Sequence, residues 1–183
     1  MALTRIGLNQ SINLARNVTG TLPIANGGTG ATSFAPGKVL QVVQGTTSVT
    51  HTTTSTTPAD TGLTVDITPA SSSNKVLVMA SFPVRFYKTS NYYANGMFNL
   101  KRDTTNIIAR SGSNVQDFGV EAGALGSSSY VSNPIKMHMQ ILDSPSTTSA
   151  TTYKVQAAAF ASTSVESMWN SQPGHIIVME VSA

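Results

Sequence analysis

The sequence predicts an all-β protein, a β-sandwich or jelly-roll head carried on an extended N-terminal arm, on three observations. After Pro36-Gly37 the chain becomes a series of short apolar runs parted by Ser/Thr/Gly/Asn clusters, the texture of strands and turns. The run 75–87 alternates with a period of two. Val76, Val78, Ala80, Phe82, Val84 and Phe86 fall on one face, and Leu77, Met79, Ser81, Pro83 and Arg85 on the other. Finally, no apolar stripe of helical spacing and ordinary length occurs after the arm.

Taken in order, residues 1–36 read as an arm, because Leu3, Ile6, Leu8, Ile12 and Leu14 fit neither period and Gly7 weakens a helix. The arm ends in TGTLPIANGGTGATS. Pro23 fixes φ there, and Gly27, Gly28 and Gly30 permit the positive φ values of sharp reversals, so the stretch reads as a connector. It does not read as a phosphate loop: Gly30 is followed by Ala31-Thr32 where a Walker loop needs Lys-Ser/Thr, and no helix follows to present its amides.

Residues 37–183 form the predicted head, with candidate strands at 38–44, 48–54, 63–68, 75–87, 97–102, 106–110, 134–142, 151–160 and 175–181. Pro83 cannot donate to a ladder, which places 75–87 at a sheet edge or marks a bulge. In 134–142, Ile135, Met137, Met139 and Ile141 oppose Lys136, His138 and Gln140. Asn95-Gly96 is a turn signal before Met97, and Asp103-Thr104-Thr105 reads as a hairpin loop. Three longer connections remain, 88–95, 111–133 and 161–174.

Composition narrows function. Charged residues make up 10% of the 183 residues, against roughly 25% in ordinary soluble domains, so hydroxyls solvate this surface. The net charge of +3 is scattered, with Lys101-Arg102 the only adjacent basic pair. A nucleic-acid interface needs a concentrated patch, so none is expected. The absence of cysteine removes disulfides and thiolate chemistry. Residues 1–14 hold no continuous apolar run, so neither a secretory signal nor membrane insertion is expected.

Candidates for chemistry are sparse. His51, His138 and His175 lie on separate predicted strands and make a zinc site only if the fold converges them. The eight acidic residues are dispersed, and Asp60 and Asp143 sit in turn contexts where Asp commonly bonds backbone amides. No catalytic set, metal or cofactor is expected. Tyr87, Tyr92 and Tyr93 in one connection and Trp169 in another can stack on sugar rings or fill a partner's pocket. The plainer alternative is burial by loop packing or by a neighbouring subunit.

The residues also carry a resemblance. Gly20 to Thr32, GTLPIANGGTGAT, resembles a segment that recurs in bacteriophage tail fibres. The head is similar to a domain of virion proteins of cyanobacterial and marine phages. The similarity lies in Val42-Val43-Gln44-Gly45, in DTGLTVDITP from Asp60 to Pro69, in SNKVLV from Ser73 to Val78, in Leu142-Asp143-Ser144-Pro145, in Thr152-Tyr153-Lys154-Val155-Gln156 and in Met179-Glu180-Val181. The resemblance implies a homotrimeric head on a short attachment arm, located in the virion. Residues 1–36 would then meet other virion proteins and the aromatic loops a host surface glycan. A short fibre, a distal tip or a knob on the capsid surface fits 183 residues better than a full-length fibre, and a short tail fibre or fibre tip is the leading expectation. The alternatives are a capsid decoration or head-fibre protein and, with a carboxylate pair in a groove, a polysaccharide-degrading tailspike.

Overall fold

The computed structural model describes residues 38–88, 94–109, 119–122, 131–160 and 163–182, the backbone alone at 119–122 and 131–133. The protein is all-β. Its strands are β1 (Val39–Thr47), β2 (His51–Thr53), β3 (Ala59–Ile67), β4 (Lys75–Lys88), β5 (Ala94–Arg102), β6 (Thr105–Ile108), β7 (Gly119–Ala122), β8 (Val131–Asp143), β9 (Thr151–Phe160), β10 (Ser164–Ser167) and β11 (Gly174–Val181). The expected arm at 1–36, with Pro23, Gly27, Gly28 and Gly30, lies outside the described residues. No described helix is long and apolar enough to cross a membrane.

The strands make two antiparallel sheets of a sandwich. In the first, β4 is flanked on one side by β8 over its whole length and on the other by β11 and then β10, with β1 beyond β11 and β2 beyond β10. In the second the order is β3, β9, β5, with β6 and β7 at the two ends of the outer flank of β5. Alternation explains which faces meet. Val76, Val78, Ala80, Phe82, Val84 and Phe86 of β4 are all buried, against Leu63 and Val65 of β3, Phe98 and Leu100 of β5 and Tyr153 and Val155 of β9. Phe98 meets Phe82 and Phe86 edge-on, at centroid distances of 5.1 and 6.3 Å, the geometry that ring quadrupoles favour.

Three local expectations are corrected. Pro83 is neither on an edge nor at a bulge, because β4 is central. On one flank Pro83 registers with Lys136. On the other it falls in the gap between the last β11 partner, at Ser81, and the first β10 partner, at Val84. The missing N–H is tolerated where the neighbouring strand leaves the sheet. Asn95-Gly96 is not a turn but part of β5. A Cβ at Gly96 would run into Val165 Cγ2 and come within 2.8 Å of Phe86 Cε1, so the glycine answers close packing. The connections at 111–133 and 161–174 contain the short strands β7 and β10. Asp103 does begin a tight turn, at φ 51°, a conformation Asp tolerates.

Glu180 closes one end of the sandwich. Fully buried, it accepts from Gln41 Nε2 at 2.6 Å, Ala70 N at 2.7 Å and Asn74 Nδ2 at 2.6 Å, tying β1 and the β3–β4 connection to β11.

Candidate functional site

The two outer faces of the sandwich differ. On the β3–β9–β5 sheet the exposed side is polar, with Lys154 Nζ 2.7 Å from Asp60 Oδ2 and the Thr152 hydroxyl 2.6 Å from Asp66. On the β4 sheet, one end carries a row of apolar side chains across four strands. Leu142, Leu77, Met179 and Val42 are in cross-strand register, and Val181 and Val39 form the next row. Val39, Val42 and Leu142 are more than half exposed, at 57, 56 and 54%.

The other end of this face holds an aromatic cleft, built from the gap opposite Pro83. There the chain makes a 3₁₀ turn at Trp169–Ser171, and Met168, Asn170 and Ser171 take φ values of 51, 59 and 54°. Three consecutive-range non-glycine residues in the left-handed region are costly and persist only where the surroundings fix them. Here the fully buried Met168 side chain anchors the turn, and the Thr50 hydroxyl donates to Met168 O at 2.9 Å.

The turn lays Trp169 over Arg85, whose guanidinium carbon is 5.6 Å from the Trp169 ring centroid and 5.6 Å from that of Tyr87. Arg85 Nε and Nη2 each donate to Glu166 at 2.8 Å. Planar guanidinium suits both contacts at once, a fork for the carboxylate and a face for the rings. Beside Trp169 opens a cleft of about 360 Å³ lined by Pro83, Pro134, Lys136, Gln172 and His175 among others. At His175 it meets a second groove of about 650 Å³ running past Met79, Ser81, His138, Gln140 and Ile177.

Thus two of the four aromatic residues singled out in the sequence come together. Tyr87 sits within β4, not in a connection, opposite Ser164, and Trp169 on the turn; both are half-buried. Tyr92 and Tyr93 lie outside the described residues. Sequence reasoning passed over Arg85, Glu166, Lys136 and His175 as parts of one surface. Arg85 and Glu166 are 81 positions apart, and no local pattern joins them.

The histidines do not converge: His138 and His175 flank Ser81 on neighbouring strands, while His51 stands on β2. Burial lowers the pKa of His51, partly offset by the Asp60 charge. No group of three metal-ligating side chains occurs among the described residues. Of the eight acidic residues, Asp117 and the Glu121 side chain are not described, and each of the other six accepts from a donor. Asp143 takes Arg102 Nη1 and the Tyr153 hydroxyl, each with a contact of 2.7 Å. Burial, with the Asp143 bond second, pushes the Tyr153 phenol far above its ordinary pKa. Asp60 takes Lys154 and Gln156 side chains. For both aspartates the acceptor role holds, but these donors are side chains, not the backbone amides that the turn contexts suggested. Asp103 accepts from Thr152 N at 2.9 Å.

No protein-family model matches this chain, and no curated protein matches it.

Proposed function

We propose that the chain is a non-enzymatic virion component of a bacteriophage, a short tail fibre or fibre tip. Residues 1–36 attach it to other virion proteins, and the head, as a homotrimer, takes part in host adsorption by binding a surface glycan. The sequence segment GTLPIANGGTGAT supports the phage assignment. The observation that carries the structural role is the contrast between the two outer faces. An apolar row at one end of the outer β4 face, with hydroxyls and an ion pair on the opposite sheet, suits a subunit that buries that end against its own copies and wets the rest. The strand order β8, β4, β11/β10, β1/β2 against β3, β9, β5, β6/β7 supports a jelly-roll head, in which successive strands alternate between the sheets. Many weak glycan contacts on a trimer would add up through avidity. This role needs no cofactor, nucleic acid or membrane insertion.

The test is position on the particle. Imaging virions with a tag fused after Ala183 should show density at the tail or its baseplate. Density spread over the capsid would make the chain a decoration protein instead, and its absence from particles would refute the assignment. Release of oligosaccharides from host capsular polysaccharide by the purified protein would establish a tailspike activity and end the non-enzymatic reading.

A further inference from the structure

The aromatic cleft has a chemistry more specific than a sticky surface. Trp169, the one tryptophan of the chain, offers a flat apolar face whose position is set by Arg85 and by the turn beneath it. Both oxygens of Glu166 are engaged by Arg85, so that pair orients the ring and leaves no carboxylate pointing into the cleft. Lys136, on the exposed side of β8, lines the same space and pairs with no acid among the described residues. Gln172 and His175 add hydrogen-bonding groups; the His175 Nδ1 is met by Gln44 Nε2 at 3.1 Å, which fixes the ring.

A flat ring, a lysine and two further polar side chains around about 360 Å³ match a single pyranose carrying a negative charge, within the usual size of small-ligand sites. The sugar's C–H face would lie on Trp169 and its carboxylate on Lys136, with hydroxyls to Gln172 and His175. The second groove, which shares His175 with the cleft and is bordered by His138 and Gln140, offers room along the sheet for further sugars, as a polymer requires and a monosaccharide does not. The apolar row lies six residues away along β4, from Pro83 to Leu77, roughly 20 Å at strand rise, so copies packed on that row leave the cleft open.

We infer that this cleft is the subsite for a uronate residue of an acidic surface polysaccharide. The inference rests on the adsorption reading above and names the ligand class. Because Trp169 is the sole indole, its fluorescence reports the site directly. The full chain is titrated with tetragalacturonate and a hyaluronan tetrasaccharide, and in parallel with maltotetraose and cellotetraose. At least one uronate oligomer should change the emission saturably, the neutral ones should not, and Lys136→Met should weaken binding about tenfold, the scale of one hydrogen bond to a charged group. Lys136 is exposed, so an unchanged melting temperature confirms that the variant is folded. Trp169→Phe, read by calorimetry, should also weaken binding. No response to any of the four probes, equal response to neutral ones, or indifference to Lys136→Met would overturn the assignment. Those failures leave the virion reading standing if tagged particles carry the chain; binding intact in a chain absent from particles would remove the virion reading alone.

Discussion

Glu180→Gln preserves size, removes the charge and turns one acceptor oxygen into an amide donor, which makes its cost calculable. The carboxylate accepts from Gln41, Ala70 N and Asn74 at 2.6–2.7 Å, with the Ser71 amide also directed at it, in a fully buried site. Hydrogen bonds to a charged group contribute about 1.5–3 kcal/mol each, against about 0.5–1.5 for neutral pairs. With the amide oxygen in the Oε1 position, the bonds from Ala70 and Asn74 weaken by about 1 kcal/mol each and the one from Gln41 is lost, which predicts a loss of about 3–5 kcal/mol, equivalent to roughly 6–20 °C in Tm for a domain of this size. The same site predicts a pH signature. Burial, the largest single influence, raises the Glu180 pKa, but the donors Asn74, Gln41 and the Ala70 and Ser71 amides together outweigh it, and the net shift is downward. A carboxylate with a depressed folded pKa contributes stability that is fully present above its unfolded value, about 4.3, and is lost as pH falls through the folded pKa. The gap between wild type and Glu180→Gln should therefore be largest at neutral pH and shrink in acid. Other carboxylates titrate in both proteins and cancel. Urea melts followed by circular dichroism from neutral to acidic pH measure it. A loss below about 1 kcal/mol at neutral pH, or a gap that stays constant into acid, would refute the reasoning.

Gly45→Ala should destabilise by about 1–3 kcal/mol, because its Cβ would strike the carbonyl oxygen of Thr64, which is backbone and cannot rotate away; chemical denaturation measures this. Phe98→Ala, at the centre of the ring cluster, should cost about 3–5 kcal/mol in the same assay. Tyr153→Phe removes the donor to Asp143 Oδ2 while Arg102 keeps its hold, so a loss of about 1.5–3 kcal/mol is expected. Wild type should have a solution mass three times 19.1 kDa, and Val42→Lys with Met179→Lys should reduce it to one chain that keeps the β circular-dichroism spectrum and melts lower, because subunit association no longer stabilises the fold; a wild-type monomer or a variant of unchanged mass would contradict the proposed packing.

What could be read in advance was what repeats locally. The alternation of Val76 to Phe86 identified β4 and its buried face without help from elsewhere, as did that of Ile135 to Ile141 in β8. What escaped depended on distant neighbours. Asn95-Gly96 is a turn signal by composition, and only Val165 and Phe86, arriving from other strands, make the glycine a packing requirement. Pro83 pointed to an edge or a bulge, and neither holds, because a central strand can host a proline where its neighbour is interrupted. β10 carries one buried apolar side chain, Val165, too little for a periodicity. The cleft was half visible: Tyr87 and Trp169 stood out as aromatics, whereas the arginine between them looked like any solvated charge.

The position of β11 bears on how the protein can be made. It lies between β1 and β4, yet it emerges from the ribosome after every other described strand. Until residues 174–181 have cleared the exit tunnel, β1 has no partner in its sheet and β4, paired with β8 on one flank, is open on the other from Lys75 to Ser81, with edges of the kind that invite mispairing between neighbouring chains. Completion of the first sheet is thereby deferred until β11 has left the tunnel.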